Sequence, residues 1–241
     1  MRKIEVCFTP ALLHLYDIRE SIVVVIDIFR ATSSICYGID NGAEAIIPVS
    51  TVEACREYCD HGYLLAAERN GEVVEGFDFG NSPFAYSGEK VAGKTVVLTT
   101  TNGTHAIHKS LEASRIVVGS FLNLTALSDW LGSQEMDVLL LCAGWKDKFN
   151  LEDTVFAGAV ISKLGSAGYK PDDAAIAAED MYLAARNDLH GYLQKTSHSE
   201  RLKKLGIEED IRFCLSVDIC TSIPVLEGEK LVRMLPVVSD C

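Results

Sequence analysis

Residues 22–26, Ile-Val-Val-Val-Ile, place five β-branched side chains in a row. Such side chains favour extended backbone, and a strand with no polar face has to be covered on both sides. That is the situation of a strand inside a parallel sheet flanked by helices. Asp27 then falls at the carboxyl end of this strand, where open α/β sheets take their ligands. A carboxylate there is costly unless a cation, a metal ion or N–H donors balance it. Arg30 and Thr32, residue types that hold anions, follow at once. The segment reads as one edge of an active site.

The alternation continues beyond it. Apolar patterning predicts strands over 3–9, 22–29, 45–49, 63–67, 95–98, 115–118 and 137–142. Helices are expected over 32–41, 51–60, 103–110, 123–132 and 152–164. Strand and helix in turn imply parallel pairing with right-handed crossovers. The expected fold is α/β, three-layer, with a mostly parallel sheet, helices on both faces and a helical C-terminal part. That part covers 172–213, with breaks at Asn187 and near Thr196. Its stripe of Ala175, Ala178, Met181, Tyr182, Ala185, Leu189, Tyr192 and Leu193 reads as core packing. The tail over 223–238 suggests a hairpin around Glu227-Gly228. No polar linker interrupts the chain, so one domain over 1–241 is expected.

The formal net charge of −12 argues against a nucleic-acid surface, which needs a clustered basic stripe. It also sets a condition for any enzyme acting on an anion: an arginine cluster or a bound divalent cation must offset the global repulsion. No apolar run approaches the roughly 20 residues that span a bilayer, and the N-terminal segment lacks the apolar core of a signal peptide. The expected place is the cytoplasm, with no membrane partner. Eight cysteines (Cys7, Cys36, Cys55, Cys59, Cys142, Cys214, Cys220 and Cys241) include no Cys-x-x-Cys pair. Buried, reduced thiols are the expectation. The six histidines show no metal-ligand spacing, and no Gly-x-Ser-x-Gly elbow is present. The oligomeric state stays open, a homodimer being one outcome.

Three further segments carry chemistry. Residues 66–83 end a strand with Glu68 and Arg69, then place Asp78, Asn81 and Ser82 among Gly71, Gly76 and Gly80. A long irregular loop with this concentration of polar residues is usually functional. Residues 98–104, Leu-Thr-Thr-Thr-Asn-Gly-Thr, lead from a strand into a helix, so backbone N–H groups and the hydroxyls of Thr101 and Thr104, with Asn102 and Gly103, suit an anion. A simple cap would need only one of these residues. No phosphate loop of the GxxxxGK[ST] type occurs. Residues 142–158 leave a buried strand and open a helix with Glu152 and Asp153. Their plain use is to complement the helix dipole. Together with Asp27 they make a hard oxygen set suited to Mg²⁺.

The order Asp-x-x-Arg-Ala-Thr, then Glu68-Arg69 with Gly-Asn-Ser-Pro, then Thr-Thr-Thr-Asn-Gly-Thr, then Cys-Ala-Gly with Leu-Glu-Asp, resembles the ComB family of 2-phosphosulfolactate phosphatases over about residues 23–158. The resemblance implies a cytoplasmic, Mg²⁺-dependent α/β enzyme that hydrolyses 2-phospho-3-sulfolactate on the way to coenzyme M. It further implies Mg²⁺ on Asp27 with help from Glu152 or Asp153. Arg30, Thr32, Arg69, Asn81, Thr101, Asn102, Gly103 and Thr104 would hold the small anionic phosphorylated substrate, and Glu68 or Asp78 would act as acid or base. Asp27 as a nucleophile forming a phospho-aspartate stays open. So do a phosphatase of another small phosphorylated acid, a phosphotransferase and a non-catalytic anion-binding protein.

Overall fold

The computed structural model describes residues 1–69, 71–165 and 167–235. Its elements are β1 (Arg2–Cys7), β2 (Ser21–Ile26), α1 (Ala31–Asp40), β3 (Ala45–Pro48), α2 (Val52–Arg56), β4 (Leu64–Arg69), β5 (Glu72–Val73), α3 (Gly88–Val91), β6 (Thr95–Thr99), α4 (Gly103–Lys109) and β7 (Arg115–Gly119). There follow α5 (Leu124–Gly132), β8 (Asp137–Cys142), α6 (Leu151–Leu164), β9 (Tyr169–Pro171), α7 (Asp173–Ala185), α8 (Leu189–Leu193), α9 (Ser197–Lys204), α10 (Glu208–Cys214), β10 (Pro224–Glu227) and β11 (Lys230–Arg233).

The double-sided strand builds the layers. Ile22, Val24 and Ile26 of β2 join Val138 and Leu140 of β8 in an apolar cluster with Phe156 and Val160 of α6. The alternate residues Val23 and Val25 join Leu139 and Leu141 in a second cluster, with Ile35 and Ile39 of α1 and Ile107 of α4. All six residues of β2 are buried. The fold is α/β, with helices on both faces of a mostly parallel sheet, as the alternation predicts. The stripe on α7 and α8 packs into the first cluster. At the α6–α7 crossing the helices meet backbone to backbone: a Cβ on Gly158 would collide with the Ala178 carbonyl oxygen.

The sheet order is β5-β4-β6-β3-β11-β10-β7-β2-β8-β1-β9. Strands β4, β6 and β3 pair in parallel, as do β7, β2, β8, β1 and β9. The C-terminal hairpin β10–β11 lies between the two groups and pairs antiparallel with each. Three successive antiparallel pairings make the groups run in opposite directions. A single residue pair forms each junction, Val225 with Val117 and Leu231 with Ile46. The expected hairpin is therefore present, but it joins two half-sheets rather than ending the chain as an appendage. The C-terminal helices also break once more than expected, after Lys204. Positions 236–238 of the expected tail, and Cys241, lie outside the described residues. The other seven cysteines are free, and all but Cys59 are buried.

Candidate active site

Asp27 is 6% exposed at the end of β2. The chain turns sharply behind it: its backbone N–H donates to the Thr32 hydroxyl (3.0 Å), and the Thr32 N–H returns to the Asp27 carbonyl (3.0 Å). Glycine is required opposite. An ideal Cβ on Gly103 would lie 2.9 Å from Asp27 Oδ2 and 2.8 Å from the Ala31 Cβ. The exits of β2 and β6 thus meet, although their strands belong to oppositely directed groups. Burial pushes the Asp27 carboxyl up to about 6, and Glu152 adds to the rise; His198, the Gly103 amide and Arg30 oppose it.

Asp153 holds two strand exits together. Its Oδ1 accepts the Ile28 N–H (2.9 Å) and its Oδ2 the Gly144 N–H (3.1 Å). Burial, with Asp27 and Glu152 close by, raises its carboxyl well above the usual range. Glu152, from the same first turn of α6, is fully buried. Its Oε1 accepts the Nδ1–H of His198 (2.5 Å), while its Oε2 has no hydrogen-bond partner among the described residues. Three carboxylates thus cluster at one place. Among the described residues, no group of three or more His, Cys, Asp or Glu is arranged to hold a metal ion.

Arg30 is a tie between distant elements. Its guanidinium donates to Glu68 Oε1 and to Asp210 Oδ2, both at 2.5 Å. Glu68 Oε2 accepts the Asn81 N–H (3.3 Å), and Asp210 Oδ1 accepts the Ser82 hydroxyl (3.1 Å). Buried ion pairs of this kind are strongly destabilising to break, so the network fixes α10 and the 80–82 segment against the start of α1.

A cavity of about 190 Å³ is lined by Asp27, Arg30, Glu68, Arg69, Asn81, Thr101 and Asn102 from the sequence-derived set, whereas Glu152 and Asp153 stand outside its lining. Pockets for drug-sized ligands run to roughly 300–1,000 Å³, so this one suits a small ligand. A larger, shallower depression of about 860 Å³ beside residues 10–19 contains none of the candidate residues. Several expected residues sit behind the wall instead. Thr32 and Thr104 are fully buried, and the Thr104 hydroxyl accepts the Thr100 N–H and donates to the Thr100 carbonyl. Asp78 is absent from the lining, and its Oδ2 accepts the Leu65 N–H (2.8 Å), a role in holding β4.

The cavity also has walls that sequence reasoning missed: Trp145, Lys146, His198 and Arg201. His198 and Arg201 stand three residues apart on α9, one helical turn, so they share a face. Nothing in the sequence ties this pair to Glu152, which lies 46 residues away from His198. The one local signal was two polar residues at helical spacing, and that pattern is common on exposed helices. Four cations, Arg30, Arg69, Lys146 and Arg201, line the cavity against two carboxylates, Asp27 and Glu68. Among the described lining side chains the balance is positive, although Arg30 is itself held by Glu68 and Asp210, within a chain of net charge −12.

Comparison with known proteins bears on what this site does. A family model described as 2-phosphosulpholactate phosphatase matches residues 7–229. The chain is 44% identical over 214 residues to a probable 2-phosphosulfolactate phosphatase of Thermotoga maritima, covering 88% of this chain and 92% of that one. A protein of the same description from Caldanaerobacter subterraneus is 41% identical over 217 residues (88% and 90%). One from Clostridium novyi is 36% identical over 220 residues (90% and 93%). Among the described residues no helix is long and apolar enough to cross a membrane.

Proposed function

Because the chain belongs to the 2-phosphosulpholactate phosphatase family, we propose that its pocket hydrolyses the phosphate ester of 2-phospho-3-sulfolactate, with Mg²⁺ as cofactor, to 3-sulfolactate and phosphate. Such a step belongs to coenzyme M biosynthesis. The observation that carries the reading is Asp27: a nearly buried carboxylate at a strand's end, facing a small cavity whose other charges are mostly cationic. A substrate with three anionic groups needs that excess of positive charge.

The donor set fits Mg²⁺ in kind. Mg²⁺ commonly takes one or two protein carboxylates and completes its shell with waters and phosphate oxygens. Asp27 at the cavity and Glu152 buried behind it, whose Oε2 has no partner among the described residues, are the carboxylates that would hold it. Asp153 already accepts an amide on each oxygen, so its part is to hold the β2 and β8 exits in register around the ion's place. When bound, Mg²⁺ would polarise the phosphoryl group and neutralise the charge that develops on it.

The chain's own groups supply orientation. Gly103 lets the 99–104 segment lie against Asp27. Thr101 and Asn102 line the same cavity as Asp27. The engagement of both Glu68 oxygens makes that residue a holder of Arg30 rather than a free acid or base. His198, fixed by Glu152 through Nδ1, is the side chain beside Asp27 with an uncommitted nitrogen, since Nε2 has no protein partner among the described residues.

Phosphate release from a panel of small phosphorylated acids, with Mg²⁺ and with EDTA, tests the assignment. Mg²⁺-dependent release that favours the sulfonated ester supports it. Release from other esters only would keep a phosphatase with a different substrate. Binding without any release would leave an anion-binding protein.

A further inference from the structure

One face of α9 belongs to the cavity. His198, Arg201, Leu202 and Leu205 recur at intervals of three and four, so they share that face, and all four line the cavity. The face is seated at several points. His198 is bonded to Glu152, Leu202 is buried in the first apolar cluster, and the Arg201 Cζ stands 5.1 Å from the centroid of the Trp145 ring. Leu205 closes on the β4–β5 hairpin, where an ideal Cβ on Gly71 would lie 2.8 Å from its Cδ1. The helix thus forms a wall of the site.

The rest of this segment is basic. Between Leu189 and Ile207 stand Lys195, Arg201, Lys203 and Lys204 against a single acid, Glu200. The whole chain has 34 acids and 22 lysines and arginines, so this run reverses its general character. Acids resume on either side, at Asp188 and Glu208. Lys195, Lys203 and Lys204 stand outside the cavity lining. Lys195 and Lys204 are exposed, and Lys203 is half-buried. None of the three forms an ion pair among the described residues. The Lys195 Nζ instead lies 3.9 Å from the centroid of the Tyr192 ring, a contact that leaves its net charge in place. Three uncancelled positive charges therefore lie on, or just before, the helix that walls the site.

We propose that Lys195, Lys203 and Lys204 form an electrostatic guide that draws the polyanionic ester toward the cavity, acting through their field and not by contact. The inference rests on the reading of the pocket as one for a phosphate ester. An acidic chain repels such a ligand at long range, and a basic patch beside the cavity reverses the sign of the field there. The effect grows with the ligand's charge and fades as salt shortens the screening length. A direct contact behaves otherwise, since it depends on local geometry and is screened much less.

The test measures kcat/KM for 2-phospho-3-sulfolactate in the unaltered protein and in a triple variant, Lys195→Gln with Lys203→Gln and Lys204→Gln. Each is assayed at ionic strengths of about 0.01 M and about 1 M, where the screening lengths are about 30 Å and 3 Å. Glutamine matches lysine in helix propensity, and a melting curve checks the fold. The variant should lose about fivefold or more at the lower ionic strength, with kcat unchanged, and nothing at the higher. The loss should be smaller for phospholactate, which lacks the sulfonate charge. Equal kcat/KM at low ionic strength, a loss that persists at high ionic strength, or a loss indifferent to the ester's charge overturns the guide. Should the unaltered protein hydrolyse neither ester, the phosphatase reading falls, and calorimetric binding of 3-sulfolactate and inorganic phosphate decides the guide separately. A loss of affinity in the variant that disappears in high salt would still uphold it. Binding that is absent, or equal in both proteins at low ionic strength, overturns it.

Discussion

Burial makes Asp27 expensive to ionise, and that cost gives it a signature in stability as well as in turnover. Its carboxyl stands at about 6 in the folded chain against an ordinary 3.8. The folded state therefore holds the proton more tightly than the unfolded state between those values. Its stabilising effect is full below about pH 4 and is lost as pH rises through about 6. Above that, the ionised side chain costs the metal-free fold on the order of 3 kcal/mol. Asp27→Asn should thus melt several degrees higher than the unaltered protein at pH 8 in EDTA, with the gain vanishing near pH 4. Equal melting at both pH values would contradict this account of the carboxyl. Gly103→Ala tests the close approach from the other side, since its Cβ would press on Asp27 Oδ2 and Ala31. We expect kcat/KM to fall at least tenfold while unfolding free energy drops by about 1–3 kcal/mol; parallel rate and melting measurements would show it. Asp27 was legible in the sequence because a carboxylate closing an all-β-branched strand must be balanced by a cation, a donor set or a ligand. Trp145, His198 and Arg201 were not, because their meeting depends on how α9 folds back over the sheet.

Periodicity carried most of the elements. The strand at 137–142 and the helix starting at Gly103 fall where the apolar pattern puts them, because burial on both sheet faces leaves little freedom in register. Short pieces escaped. The strand β9 and the hairpin arm β5 have three and two residues, too few to show a period. Asp78 is a related case: a carboxylate that accepts the Leu65 N–H near the start of β4 looks, in sequence, like any acid in a glycine-rich loop. Gly158 makes a sharper case at this scale. Within the pattern of α6 it reads as a helix-weakening residue, yet it is what lets α6 and α7 touch. Gly158→Ala should cost about 1–3 kcal/mol or more, although alanine is the better helix former. A urea titration showing stabilisation would refute the close crossing.

At the scale of the molecule, two oppositely directed parallel groups are held together by the C-terminal hairpin, and the site lies where their strand exits converge. Parallel character was legible from the alternation of strands and helices. The insertion of β10–β11 was not, because strand order is decided by long-range pairing that local patterning does not encode. Leu231 sits fully buried in that junction opposite Ile46. Leu231→Asp would bury an unpaired charge there and should cost more than about 3 kcal/mol, seen as loss of the cooperative unfolding transition or as insoluble protein. An ordinary melting curve for that variant would show the hairpin to be dispensable. The convergence also bears on how a chain of net charge −12 would receive the proposed polyanionic ester: Arg30 and Lys146 follow strands of one group, Arg69 ends a strand of the other, and α9 adds Arg201, around Asp27 and Glu68. The most direct test of that arrangement is phosphate release from 2-phospho-3-sulfolactate by the unaltered protein and by folded Asp27→Asn, each with Mg²⁺ and with EDTA. The account predicts release only from the unaltered protein with Mg²⁺, and a loss of at least a thousandfold, roughly 4 kcal/mol of barrier, on substitution. Undiminished Mg²⁺-dependent release by Asp27→Asn would contradict it.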